Sequence, residues 1–476
     1  MTSPAEAPLD YDDIQGTILR GYRVDRARHF ILSVVDQAAA QGFLGSLVTP
    51  SSGLPQITTA ARWSVKPQFF LNVGITAAGL TALGQPTGGF PSSFTTGATA
   101  RSTAKTVGDT GASAPSEWID GLSDGQAVHL ILSLWVAADP GELERVSTIL
   151  RQAFAGALDE LGAQDATALP DNKVHFGYTD NISQPHVLGA PPTKRPRPDM
   201  QPIAPTGEFL LGYTNQNNYE YNVTPTELSK NSSFGVFRLL QQDVPGFESW
   251  LTTAAPDAGL DAEMLAAKVC GRWRNGVPLV LSPDTATPDP PLPPDRINDY
   301  TYVSTDAALD DTFGYHCPIG AHMRRTNPRN EAVIGGGSMH RLVRRAMPYG
   351  PPYDPHEGAD VTRGLVGWFI NADIKNQFEF LMNQWVNGST FVMSVSGPNG
   401  ANPVNNITGQ DVILGANTAT TSSFTLSDPP VGSAKPVNQK LTGFASFVTT
   451  RGGAYCYLPS ISALRFISTP GSGSPA

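Results

Sequence analysis

Residues 128–139 read VHLILSLWVAAD, and residues 363–374 read RGLVGWFINADI. Each is a run of apolar residues that stops at an Ala-Asp step. Each is followed by apolar residues at helical spacing, in PGELERVSTILRQAF (140–154) and KNQFEFLMNQWV (375–386). A short apolar run bounded by a helix start reads as a buried strand, and Pro140 suits the first turn of a helix. The same grammar recurs. HFILSVV (29–35) leads into a helical stretch from Asp36 to about Leu47, and QFFLNVG (68–74) leads into TAAGLTALG. SFGVFRLL (233–240) leads into QQDVPGFESWL. Strand and helix alternate twice over, and no strand is followed by a phosphate-binding loop. The pattern predicts two related α+β halves rather than one doubly wound parallel sheet.

The boundaries follow from composition. A first half is expected over 1–190 and a Pro-rich linker over 191–206. A second half is expected over 207–467 and a disordered Gly/Ser/Pro tail over 468–476. Across 476 residues, 40% are hydrophobic and 16% charged, so the core is not limited by size. The net charge of −10 argues against nucleic acid or an anionic membrane as partner. No apolar run approaches the roughly 18 residues of a membrane span. The start, MTSPAEAPLDYDD, is acidic and has no apolar signal region, so the expected compartment is the cytoplasm. Cys270, Cys317 and Cys456 are odd in number and far apart, which gives no disulfide framework and no zinc-like pair.

Chemistry concentrates in two places. In HFGYTDNISQP (175–185), Asp180 is a lone carboxylate with no basic neighbour, either a turn cap or a functional acid. The segment HCPIGAHMRRTNPRNEAVIGGGSMHRLVRRAMPYG (316–350) holds three of the eight histidines and six arginines. Its GGG lacks the spacing of a phosphate cradle and reads as a flexible loop. His322 is a candidate iron ligand, with nearby arginines suited to haem propionates; His316 and His340 are rivals by spacing alone. Arg344 and Arg345 lie on a strand-like run, so alternation sends them to opposite faces. One is expected to face a cavity and the other solvent, with Asp180 as a natural partner.

Taken together, these motifs resemble those of the dye-decolorising peroxidases, in particular the longer intracellular or fungal-like subgroup. FGYTDNISQP resembles the family's GxxDG motif, CPIGAHMRRTNPR its proximal-histidine segment and RLVRRAMPYG its distal-arginine strand. DDIQGTILRGY (12–22), GEFLLGYTN (207–215), GRWRNGVPL (271–279), TGQDVILG (408–415) and FVTTRGGAYCYLPS (447–460) extend the likeness along the chain. The resemblance implies duplicated ferredoxin-like α+β domains with antiparallel sheets, similar to a dimeric α+β barrel, and one haem b held in the C-terminal half. It implies a peroxidase that uses hydrogen peroxide to oxidise dyes and phenols by single electrons. A haem carrier or sensor is the alternative, and it would need only the axial ligand.

Carried over residue by residue, His322 is implied as the axial ligand, Asp180 as distal acid–base and Arg344 as distal arginine. Arg329 is implied as a propionate contact, Leu365 as lining the cofactor, and Asp411 as the carboxylate that receives the axial histidine's N–H. Two departures stand out. Asn181 replaces the usual glycine, yet asparagine tolerates left-handed angles. Gly367 replaces a distal phenylalanine, which leaves a roomier pocket unless Trp368 compensates. Tyr349 and Trp385 are candidates for relaying electrons from bulky donors, or else ordinary core aromatics.

Overall fold

In the computed structural model of the chain, residues 8–137, 139–192, 200–357, 361–393, 408–429 and 437–472 are described. Residues 193–199 of the expected linker and 473–476 of the expected tail lie outside them, as does the chain start through residue 7. The first half supplies β1 (Arg26–Val34), β2 (Phe69–Ile75), β3 (Leu130–Val136) and β4 (Leu158–Thr167). The second supplies β5 (Ser233–Gln242), β6 (Val343–Tyr349), β7 (Gly364–Asn371) and, after a separate β8 (Ser423–Asp428) and β9 (Val437–Thr442) hairpin, β10 (Val448–Leu458).

These eight strands form one sheet in the order β4-β1-β3-β2-β10-β5-β7-β6, and each neighbouring pair is antiparallel. Numbered within its own half, each set of four runs 4-1-3-2. This is the βαββαβ order of a ferredoxin-like unit, present twice. The halves meet at two seams. At one, β2 and β10 share the single residue pair Ile75–Tyr457; at the other, β4 packs against β6. The duplicated, barrel-like α+β architecture is therefore as expected.

The strand-to-helix switches have a common local cause. A short oxygen-bearing side chain ends each of four apolar runs and accepts an amide of the next turn: Asp36 from Ala39, Thr76 from Gly79, Asp139 from Gly141 and Asp243 from Gly246. Each such cap is typically worth about 0.5–2 kcal/mol. All seven residues of β3 are buried, and each buried Leu, Ile or Val contributes roughly 1.5–3 kcal/mol relative to exposure.

The stretch after β7 departs from the expected α-helix. It is wound as π-helix over Lys375–Glu379 and Leu381–Val386, with Glu379 N bonded to Ile374 O and Asn387 N to Met382 O. Such winding occurs mainly as short insertions near functional sites. Residues 468–472, part of the expected tail, are tied down: Gln85 Nε2 donates to Ser472 Oγ at 2.9 Å.

One buried ion pair joins the halves. Arg238 on β5 makes a two-pronged contact with Asp109 (2.6 Å each), and both side chains are 3% exposed.

Candidate active site

His322 opens a short helix, His322–Thr326. Its Nδ1 lies 3.0 Å from Asp411 Oδ2, and the Asp411 side chain is fully buried. Asp411 Oδ1 accepts the backbone amides of Ile413 (2.8 Å) and Leu414 (2.7 Å). Burial pushes this carboxyl's pKa up. The charge and hydrogen bond of His322, the charge of Arg325 and the Leu414 amide outweigh it and hold the pKa below the usual carboxylate range. An ionised acceptor on Nδ1 fixes the proton there and frees Nε2 as a lone-pair donor.

The rivals lack this arrangement. His340 has both ring nitrogens occupied, by the carbonyls of Asn376 and Gly335, and it stacks on Phe380. The His316 ring has no carboxylate partner among the described residues; only its backbone amide meets one, Asp311.

The distal elements gather on one face of β6 and β7. Register pairs Arg344 with Phe369, Ala346 with Gly367 and Pro348 with Leu365, so these six share a face. β7 is an internal strand and β6 ends the strand order, and on this face Ala346 is exposed while Arg344, Leu365 and Phe369 are only half-buried. The face is open and largely apolar, with one guanidinium at its end.

Asp180 comes from the first half, in a small hairpin where Asp180 N bonds Asn172 O at 2.8 Å. Thr179 N and Oγ1 fasten that hairpin to Arg274 O of the GRWRNG loop. Asn181 adopts φ +60°, the left-handed angle that the usual glycine would supply. Three residues on, Gln184 exchanges hydrogen bonds with the Arg344 backbone (3.1 and 3.2 Å), and Arg344 Nη2 donates to Ser183 O at 2.6 Å.

Two expectations are corrected here. Arg344 forms no ion pair with Asp180 among the described residues; its guanidinium is held by the Ser183 carbonyl. Nor does Arg345 turn to solvent. It shares the opposite face with Trp368, and its Nε donates to Thr17 O at 2.8 Å. The site residues thus fall into two groups, Asp180's loop with Arg344 and His322 with Asp411.

Trp368 cannot fill the space left at Gly367, because strand alternation points it into the barrel. There its Nε1 donates to Ser133 Oγ (3.0 Å), which also meets His29 Nδ1 (2.7 Å). Gly367 itself has φ +155°, and a Cβ there would lie 2.1 Å from Arg345 O. Only glycine fits this backbone, so the gap is built in.

Arg329 is buried at φ +57°. Its Nη atoms bond Asn298 and Tyr300, its guanidinium lies 3.7 Å over the Tyr300 ring, and its Nε has no partner. Arg341, which sequence reasoning passed over, also has an unpartnered buried Nε. Burial, then the nearby charge of Arg329, lowers its pKa. Neither arginine forms an ion pair among the described residues, and Glu208, which lies near enough to raise the pKa of Arg341, does not offset the burial and the Arg329 charge.

Tyr349 and Trp385 are 6% and 1% exposed, so no bulky molecule touches them directly. Tyr349's hydroxyl is unpartnered, and Trp385 Nε1 donates to Ile334 O. The cavity of about 380 Å³ lined by Thr76, Phe94, His129 and Tyr455 is lined by none of these site residues.

Among the described residues, no group of three or more His, Cys, Asp or Glu could hold a bare metal ion. An imidazole oriented by a buried carboxylate, an open apolar face and two arginines with unpartnered Nε atoms instead suit an iron that arrives in its own apolar, dianionic macrocycle. Among the described residues, no helix is long and apolar enough to cross a membrane.

No family model matches the chain. It is 30% identical to Peroxidase 2 of Mycetinis scorodonius, over 98% of this chain and 88% of that protein. Among solved structures, it is similar to a dye-decolorizing peroxidase in complex with 2,6-dimethoxyphenol, with a TM-score of 0.78 and 28% identity over 97% of this chain and all of that one. A fungal DyP-type peroxidase from Auricularia auricula-judae matches with the same TM-score at 26% identity, again over 97% of this chain and all of that one.

Proposed function

Since the chain belongs to the dye-decolorizing peroxidase family, we propose that it binds one haem b and uses hydrogen peroxide to oxidise dyes and phenols. The observation that carries this reading is the His322–Asp411 pair, a buried carboxylate that orients one imidazole and leaves its Nε2 free for iron. Arg329 and Arg341 would receive the propionates on their unpartnered Nε atoms. Leu365, Gly367 and Ala346 would line the distal side. Haem, when bound, supplies the redox chemistry, taking two oxidising equivalents from peroxide and returning them to donors one electron at a time.

The protein's own part is to move protons and hold charge. Asp180, as carboxylate, would accept a proton from one oxygen of peroxide and hand it to the other, which would leave as water. Arg344 cannot give up a proton in practice, so it stabilises the negative charge that grows as the O–O bond lengthens. The Ser183 carbonyl and the Gln184 amide hold Arg344 in place for this. Asp411 draws on the His322 N–H and makes the imidazole a stronger donor to the iron side. Tyr349 and Trp385, both buried, would serve as intermediate stations for electrons rather than as donor contacts.

Loading purified protein with hemin, then adding peroxide with 2,6-dimethoxyphenol or an anthraquinone dye, tests the reading. A Soret band and peroxide-dependent oxidation are expected. Haem uptake without turnover would leave the carrier reading standing.

A further inference from the structure

Two adjacent arginines in HMRRT are both completely buried, yet the protein treats their charges differently. Arg324 is neutralised by two carboxylates, Glu331 (2.5 Å) and Asp311 (3.1 Å). Arg325 has none within ion-pair distance among the described residues. Its five N–H donors all go to neutral oxygens: Nε to Gly320 O, Nη1 to Trp385 O and Gly388 O, and Nη2 to Thr408 Oγ1 and Gly409 O. The guanidinium also lies 4.9 Å from the Phe391 ring centre.

A buried cation without a counter-ion is costly, and a neutral side chain could pack there more cheaply. The five acceptors lie on three segments. Gly320 precedes the His322 helix, Trp385 and Gly388 end the π-helix, and Thr408 and Gly409 lead into Asp411. These segments present the imidazole and its carboxylate to each other. Asp411 follows two residues after Gly409, and its own amide donates to Val386 O, next to the Trp385 carbonyl that Arg325 holds, so its carboxylate belongs to the same clamped layer.

We infer that Arg325 is a positioning residue with an electrostatic role. Its uncompensated charge, held behind Asp411, limits how strongly Asp411 pulls on the His322 N–H and so sets the iron's reduction potential. This rests on the haem reading above. Removing the charge leaves the contacts of Asp411 with His322 and with the Ile413 and Leu414 amides in place. Asp411 then becomes the stronger acceptor, His322 donates more, and ferric iron gains over ferrous. Loss of a nearby positive charge acts in the same direction.

The test is the ferric/ferrous midpoint potential, by spectroelectrochemistry, of haem-loaded parent, Arg325→Met and Arg325→Lys, each with its melting temperature. Both variants break the five-bond clamp and should melt lower. Only Arg325→Met should show a fall in potential, while Arg325→Lys should stay near the parent. If Arg325→Met does not fold, Arg325→Gln, neutral and polar, takes its place with the same expected fall. Equal shifts in the Lys and neutral variants, a rise, or no shift in either would overturn the inference and leave Arg325 as a clamp alone. A parent that takes up no haem would refute the peroxidase reading and the inference with it.

Discussion

Replacing Asp411 with asparagine alters the site with the least change of shape. In the parent, Oδ1 takes the Ile413 and Leu414 amides while Oδ2 faces His322 Nδ1 at 3.0 Å. The asparagine carbonyl can keep the two amides, which puts its NH2 group opposite Nδ1. Two N–H donors cannot share that contact. The imidazole must give up the bond or move its proton to Nε2, the atom that iron needs. Losing a hydrogen bond to a charged group costs about 1.5–3 kcal/mol, and about 1.4 kcal/mol is tenfold in a binding constant. Haem affinity should therefore fall about 10- to 100-fold, the range typical for partners of metal ligands. Titration of apoprotein with hemin, followed at the Soret band, reads this directly. The iron's potential should rise in the same variant, because the imidazole donates less. Parent-like affinity and potential in a folded Asp411→Asn protein would remove Asp411 from the site and reopen the choice of histidine.

Three further outcomes are expected. His322→Ala should lose the Soret band, whereas His316→Ala and His340→Ala should keep it; normal loading in the first would refute the ligand assignment. Arg344→Leu should slow the reaction with peroxide by about 10²- to 10³-fold, and Asp180→Asn should be less damaging at neutral pH, since water can relay a proton but not a charge. Stopped-flow mixing separates the two, and unchanged rates in both would return the carrier reading. Gly367→Ala should destabilise the fold by about 1–3 kcal/mol, because its Cβ would meet the β6 backbone at 2.1 Å; denaturant unfolding like the parent's would show that β6 yields freely.

The five strand–helix units were legible because apolar runs gave way to helical spacing, four of them at a capping residue, a purely local signal. β4, LDELGAQDAT, was not. It lies at the end of the strand order and buries only Leu158 and Ala166 fully, so its sequence carries no apolar run. The π-winding after β7 was also hidden, since its apolar spacing suits an α-helix equally well. At the site, motif likeness named His322 and Asp411, and the structure puts them in contact. It could not show that Trp368 points into the barrel, which follows only from the β6–β7 register. Arg341 was passed over, and Arg325 was read only as one of several arginines suited to propionates, for a related reason. An arginine reads as solvated until its burial and its missing carboxylate are seen, and the doubled arginine in HMRR was the only hint.

The repeated 4-1-3-2 order also bears on how the chain divides its labour. β3 and β7 hold the same place in their halves, but β3 is buried throughout while β7 leaves Leu365 and Phe369 partly open. One copy of the unit is sealed and acts as a wall; the other is left unsealed, with a slot. The hairpin bearing Asp180 leaves the sealed copy and is latched to the open one through Ser183 and Gln184. On the proposed assignment, the iron ligand and the proton carrier therefore belong to different copies. Pulling the two copies apart would part the two chemistries even with each copy intact, so catalysis here is a property of the join.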